Sequence, residues 1–161
     1  MVERMIRGAK GDIELYEEVE HAPSLTQEAY TVVGIVAVVT AIGGLLFSAT
    51  GNVTIGAAIS QGILVFVGYL VWSYLTFLVG TNLFNGVADY GELQRTIAYA
   101  MTPQMLTFIP VVNIFATLWS LYLGFVAVRQ ALDVDNTKAL VTVVLAFIPY
   151  VVVMGIITIF I

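Results

Sequence analysis

Residues 29–88 read AYTVVGIVAVVTAIGGLLFSATGNVTIGAAISQGILVFVGYLVWSYLTFLVGTNLFNGVA, and none of them carries a formal charge. Two more uncharged stretches follow, at residues 96–128 and 139–161. Hydrophobic residues make up 60% of the chain and charged residues 11%, whereas soluble domains have about 25% charged residues. A soluble protein with such stretches would expose apolar patches well beyond the roughly 300–600 Å² of a typical monomer. The sequence therefore predicts an all-α, polytopic membrane protein.

The number of membrane spans follows from helix length, because about 20 residues are needed to cross about 30 Å of hydrocarbon. Glycines and polar residues at 50–56 predict a turn that divides the longest uncharged stretch into two spans. This required helix length predicts a membrane domain at residues 29–161 with five spans, at about residues 30–49, 58–80, 90–109, 111–132 and 137–161.

The third span is the least regular, because Pro103 lies near its middle. Residues 96–109 alone would reach only about 21 Å and form a short, tilted or half-membrane segment. Alternatively, Asp89 and Glu92 have the spacing of a capping box and start a helix near Tyr90, which gives a full-length span. The second interpretation is preferred.

The basic residues predict the orientation. With five spans, all six Lys and Arg lie on the face that holds the N-terminus and the loops near residues 89 and 133. The positive-inside rule then predicts a multi-pass protein with a cytosolic N-terminus and a C-terminus on the outer face. Residues 1–28 alternate apolar and charged positions and predict a cytosolic amphipathic segment at the headgroup boundary, with a solvated tail as the alternative.

Two sets of residues are candidate functional sites. The spans contain no ionisable group of the kind that proton-driven transporters need, so an intramembrane site would be uncharged and would lie near the Pro103 break, where Thr102, Gln104 or a water must satisfy the freed carbonyl. Interhelical hydrogen bonding is the ordinary alternative use of such residues. The candidate intramembrane polar site comprises Gln61, Thr102, Pro103, Gln104 and Asn113.

The second candidate is a cytosolic partner surface, whose members share one face of the predicted bundle. Structural pairing of Arg95 and Arg129 with Asp89, Glu92 or Asp133 is the alternative use of its charges. The surface comprises Arg4, Arg7, Lys10, Asp89, Tyr90, Glu92, Arg95, Arg129, Asp133 and Lys138.

Several classes of function are disfavoured. The chain has no cysteine and one histidine, His21, so no metal site is expected. Residues 133–136 lack the later ligands of a calcium loop, and Asn136 or Thr137 as the N-cap of the last helix explains them better. No catalytic motif or cofactor motif is present, and a net charge of -5 argues against nucleic acid. The expected partners are membrane lipids and a protein, in a homo- or hetero-oligomer.

Three stretches carry a resemblance to a known family: YEEVE at residues 16–20, GELQRTIAYAMTP at 91–103 and LWSLYLGFVAVRQAL at 118–132. They resemble the Yip domain family of Ypt/Rab-interacting membrane proteins, particularly its prokaryotic branch. The resemblance implies five spans and a cytosolic N-terminus and, in eukaryotic members, binding of lipidated small GTPases. This chain lacks the Asp-Leu-Tyr-Gly-Pro stretch of those members.

The leading hypothesis is a non-enzymatic membrane protein that organises or recruits partners at the cytosolic face. The alternatives are a small permease, channel or lipid-handling protein that uses the Pro103-broken helix, and an accessory subunit of a larger membrane complex.

Overall fold

A computed structural model describes residues 1–47 and 53–161 of the chain, and these residues form helices joined by short connections, without strands. The predicted end of the first span at residues 48–49, residues 50–52 of the predicted turn at 50–56, and Asn52 of the N-glycosylation motif Asn52-Val53-Thr54 lie outside the described residues. The helices are α1 Val2–Ala9, α2 Ile13–Glu20, α3 Thr26–Phe47, α4 Ile55–Phe84, α5 Tyr90–Ala100, α6 Val112–Ala131 and α7 Asn136–Phe160, with 3₁₀ segments at Pro23–Leu25 and Thr102–Leu106.

Four helical segments are long and apolar enough to cross a membrane: Pro23–Phe47, Ile55–Phe84, Val112–Ala131 and Asn136–Phe160. They correspond to the predicted first, second, fourth and fifth spans. Their outward surfaces carry large exposed apolar side chains, among them Leu118, Ile148 and Ile156. A helix that is apolar all round needs an apolar environment on every side, and lipid supplies it on the outside of the bundle.

The predicted continuous helix over residues 90–109 is wrong. The α-helix stops at Ala100, and a 3₁₀ segment follows over Thr102–Leu106. Pro103 causes the break, since it has no N–H to donate to the carbonyl of Tyr99 one turn earlier. The Thr102 hydroxyl donates to that carbonyl instead, at 2.8 Å.

The predicted start of α5 is confirmed. Asp89 Oδ1 accepts from the backbone N–H of Glu92 at 2.7 Å, and Glu92 Oε2 accepts from the backbone N–H of Asp89 at 2.8 Å, which is a complete capping box. Residues 93–100 are all buried, so α5 lies in the centre of the bundle against α2, α3, α4 and α6. This helix therefore contacts protein on all sides rather than lipid.

The N-terminal segment forms two helices that fold back onto the bundle. Leu15, Tyr16 and Val19 of α2 are fully buried, and the Tyr16 hydroxyl donates to the carbonyl of Gly8 at 3.0 Å. Trp119 Nε1 of α6 donates to the carbonyl of Ala9 at 2.7 Å. The apolar side of this segment therefore packs against protein, and its predicted position at the headgroup boundary stays a prediction.

Close backbone approach requires glycine at position 8. A Cβ built on Gly8 would lie 2.9 Å from both Cβ and the carbonyl oxygen of Tyr99. Any side chain at this position would push α1 away from α5.

The ends of the bundle differ in charge. At the charged end, α2 stops at Glu20, α5 begins at Tyr90 and α6 stops at Ala131. At the uncharged end, Phe47 of α3 stacks on Phe108 with ring centroids 5.2 Å apart, and Ser60 of α4 bonds the carbonyl of Ile161 at 3.2 Å.

Candidate functional site

Arg95 is buried at the charged end and holds three parts of the chain together. Its side chain is 3% exposed. Nε donates to the carbonyl of Val19 at 2.8 Å, Nη1 to the hydroxyl of Thr26 at 3.2 Å, and Nη2 to the carbonyl of Glu20. These carbonyls belong to the last turn of α2, where a positive charge is favourable. Arg95 is therefore not part of an exposed partner surface, and its predicted pairing with a nearby carboxylate is wrong.

Arg4 and Arg7 also make bonds within the chain. Arg4 pairs with Glu18 at 3.0 Å and with Glu28 at 3.1 Å. Arg7 pairs with Asp12 at 2.7 Å and with Glu18 at 2.8 Å. The bonds from the two arginines hold the pKa of Glu18 below its ordinary value. This network fastens α1 to α2 and to the start of α3, so it has a structural use whether or not a partner binds.

Of the other predicted surface residues, Tyr90 and Arg129 form hydrogen bonds within the chain, and the two lysines are exposed. Tyr90 points toward α4, where its hydroxyl donates to the carbonyl of Leu70 at 3.2 Å. Arg129 donates to the Asn136 side chain at 3.1 Å and to the side chain of Gln130. Lys10 and Lys138 are exposed.

The predicted N-cap of the last helix, Asn136 or Thr137, is wrong. Asp135 is the N-cap, because its side chain accepts from the backbone N–H groups of Thr137 and Lys138 at 2.9 and 3.0 Å.

Three predicted acidic residues meet in one recess. It has a volume of about 630 Å³ and includes Asp89, Glu92 and Asp133, together with Glu20 and His21, which sequence reasoning did not assign to the surface. These five residues are called the acidic recess below. Among the residues that the structure describes, its lining contains no lysine or arginine. The turn after α4 approaches Leu132 to form one wall, with the Val87 N–H bonded to the Leu132 carbonyl at 3.0 Å.

Glu20 is the unusual member of the acidic recess. It is 5% exposed, its Oε2 has no hydrogen-bond partner among the described residues, and its Oε1 lies 3.2 Å from Nδ1 of His21. Burial raises the pKa of Glu20 to about 7. The pKa of His21 is also raised, by its bond to the carbonyl of Glu17 and then by the neighbouring Glu20. Glu20 therefore titrates near neutral pH, and the pKa of His21 lies above its ordinary value.

The Glu20→Gln variant should be more stable than the wild type at pH 8 and equal to it near pH 4.5. Glu20 has a higher pKa in the folded chain, about 7, than its ordinary 4.5, so its ionisation lowers wild-type stability as pH rises between these values. The gain at pH 8 should be at most roughly 3 kcal/mol. Denaturant titrations in mixed micelles at both pH values measure it, with Glu14→Gln on the exposed side of α2 as the control. An equal gain at both pH values would contradict the assignment.

The structure brings together only two of the five residues of the predicted intramembrane polar site. Gln61 and Gln104 line one cavity of about 490 Å³ between α4, α5, the Thr102–Leu106 segment, α6 and α7. Thr102 is used at the helix break, Pro103 is buried, and Asn113 Nδ2 donates to the carbonyl of Thr107 at 2.6 Å, so these three do not line it. The lining also includes residues that the sequence did not indicate, among them Gly68, Trp72, Ser120, Gly124 and Tyr150. Spacing could have found two of them, since Gln61, Val65, Gly68 and Trp72 recur at three- or four-residue intervals along one side of α4.

The part of the chain that holds the acidic recess and the cavity matches a known protein family. The family model of the Yip1 domain matches residues 14–159, which run from α2 through α7. The chain belongs to the Yip1 domain family. This confirms the resemblance, and with the apolar helices it identifies an integral membrane protein of the Yip family. No curated protein and no solved structure matches the chain.

The Yip1 domain family is one of non-catalytic membrane proteins. Within residues 1–47 and 53–161, no group of three or more histidine or acidic side chains is arranged to hold a metal ion.

Proposed function

We propose that this Yip1 domain protein recruits a partner at the cytosolic face of the membrane, and that the acidic recess binds a basic segment of that partner. The observation that carries the proposal is the convergence of Glu20, Asp89, Glu92 and Asp133 in one recess whose described lining has no lysine or arginine. Arg4 and Arg7 are paired within the chain, and Arg95 is buried. The acidic groups are therefore left to attract lysine or arginine side chains from outside.

The proposal includes five crossings, with the charged end in the cytosol. Arg95 contacts Thr26 near the start of α3, whereas Phe108 stacks on Phe47 at its end. Residues 95–108 thus run along the length of α3, and this supports a third crossing made of α5 and the 3₁₀ segment. With that crossing, all six basic residues fall on one side, which supports a cytosolic charged end.

Single cysteines test the orientation, since the natural chain has none. Lys138→Cys should react with an impermeant maleimide only after the cells are permeabilised, because the proposal places the start of α7 in the cytosol. Val53→Cys, before the start of α4, should react in intact cells. The opposite pattern would invert the orientation, and labelling of both sites in intact cells would refute the third crossing.

Binding of a lysine-rich peptide tests the acidic recess. The variant of choice is Asp133→Asn, since Asp133 has a φ of 52° and asparagine tolerates that left-handed conformation. We expect Kd to rise about three- to tenfold in this variant at low salt, while Glu14→Gln leaves it unchanged. Asp89 and Glu92 are unsuitable, because their capping box holds the start of α5. Equal affinity of the wild type for a glutamate-rich peptide of the same length would refute the proposal.

The same peptide should bind the wild type more weakly at pH 6 than at pH 8. Glu20, with a pKa of about 7, loses most of its negative charge over this interval, and the raised pKa of His21 favours its charged form. Isothermal titration in nanodiscs measures the change. The Glu20→Gln variant should show a smaller pH dependence, and an unchanged dependence would show that Glu20 does not face the peptide.

A further inference from the structure

The cavity lined by Gln61 and Gln104 has the size of a ligand site. Its volume of about 490 Å³ lies in the lower half of the roughly 300–1,000 Å³ that small-molecule sites occupy. It lies between α4, α5, the Thr102–Leu106 segment, α6 and α7, whereas the acidic recess lies at the charged end and shares no lining residue with it. A ligand of the cavity would therefore bind at a different place from the partner segment proposed above.

The two side-chain amides of the cavity lie toward one end of it, whereas Tyr150 lies beside Trp72. Gln61 and Gln104 lie toward the uncharged end, and Trp72, Phe125 and Phe147 lie farther along. Gln61 and Trp72 are eleven residues apart on α4, which corresponds to about 16 Å. Among the described residues, no charged side chain lines the cavity. A ligand that fits this arrangement has an uncharged polar group at one end and an elongated apolar body.

Some polar groups of the cavity have no hydrogen-bond partner among the residues that the structure describes. The side-chain amides of Gln61 and Gln104 make no hydrogen bond with another described residue. Ser120 lines the same cavity, is 8% exposed, and its Oγ has no partner in the part of the chain that the structure describes. In a membrane interior an unpaired amide is costly, and water is scarce. A bound molecule with hydroxyl or ester oxygens would satisfy the amides.

We infer that this cavity binds an uncharged, single-chain lipid, with its hydroxyl or ester group at Gln61 and Gln104 and its hydrocarbon chain along Trp72. A charged headgroup is disfavoured because the lining offers no opposite charge to offset its desolvation. The volume favours one hydrocarbon chain over two. A monoacylglycerol represents this class of ligand.

Photolabelling with a monoacylglycerol that carries a diazirine in its chain tests the inference on the full-length protein in nanodiscs. We expect saturable labelling of residues of α4, α6 and α7 that line the cavity, and competition by unlabelled monoacylglycerol. Labelling that does not saturate and lies on lipid-facing residues such as Ile148 or Phe160 would refute the inference.

Gly124→Phe provides the blocking variant. Gly124 lines the cavity, and a Cβ at this position meets no atom within 4 Å, so a larger side chain can enter without moving the backbone. Gly155→Phe is the matched control, because its Cβ is equally unobstructed and Gly155 does not line the cavity. Saturable labelling should fall at least about tenfold in Gly124→Phe and stay unchanged in Gly155→Phe. Equal labelling of the two variants would place the lipid elsewhere.

Gln104→Leu tests the polar end. In the wild type, the monoacylglycerol should compete with the labelled probe about five- to tenfold better than a hydrocarbon of the same chain length, which corresponds to one or two hydrogen bonds. Gln104→Leu should remove most of this preference, and the ionised fatty acid should compete poorly with both proteins. Equal competition by hydrocarbon and monoacylglycerol in the wild type would refute the role of the amides.

Discussion

Replacing Arg95 by methionine is expected to lower the free energy of unfolding by about 3–5 kcal/mol, because the carbonyls of Val19 and Glu20 and the hydroxyl of Thr26 lose their donor in a buried place. Methionine retains the aliphatic part of the side chain, so the loss reports on the guanidinium. Arg95→Lys should recover only part of it, since one ammonium group cannot reach three acceptors as the guanidinium fork does.

Arg129→Met is the control for this prediction. Arg129 is partly exposed and bonds the side chains of Gln130 and Asn136, and such surface contacts contribute about 0–1 kcal/mol. Denaturant titration in mixed micelles compares the variants. A loss for Arg95→Met no larger than that for Arg129→Met would mean that the guanidinium does not hold α2 and α3 to α5.

The Gly8→Ala variant should show the second largest effect, a loss of about 1–3 kcal/mol from a single added methyl group. The new Cβ would lie 2.9 Å from the backbone carbonyl oxygen and the Cβ of Tyr99, and neither atom belongs to the mobile end of a side chain. The clash can be relieved only if α1 moves away from α5. We therefore expect α1 to become accessible to protease in detergent while α3 to α7 stay folded.

Gly34→Ala is the matched control for Gly8→Ala. Gly34 lies within α3, and its Cβ position has no atom within 4 Å. Alanine is the better helix former by about 1 kcal/mol, so this variant should be neutral or slightly stabilised. Equal proteolysis of α1 in both variants would show that the contact between Gly8 and Tyr99 does not fasten the helix.

The sequence predicts the apolar helices well, because hydrocarbon thickness and the absence of charge leave little choice. The capping box of Asp89 and Glu92 could also be predicted, since it depends on residues three apart. The length of α5 could not be predicted. Pro103 indicates that one backbone carbonyl lacks its helical donor. Whether the helix then continues with a kink or changes to 3₁₀ depends on local partners, here the Thr102 hydroxyl.

The sites were predicted less well, because burial depends on contacts that are distant in sequence. Arg95 is predicted at the surface because it lies at the cytosolic end of the third span, yet residues 69 to 76 positions earlier bond its guanidinium. Glu20 is one of five acidic residues at positions 12–20, and the predicted amphipathic segment turns them to water or a partner. Only the packing of α2 on α5 shows that this carboxylate is buried. The grouping of Gln61 with Gln104 likewise depends on how α4 packs beside the broken third segment.

The docking of α1 and α2 affects the order in which the chain can acquire its structure during synthesis. These helices leave the ribosome first, but Tyr99 and Trp119, against which α1 packs, are made about a hundred residues later. Until then Arg4, Arg7 and the acidic residues of α2 have no bundle to join. The final tertiary contact of the N-terminus therefore forms after α6 has been inserted, and a nascent chain that stops before α5 should leave α1 undocked.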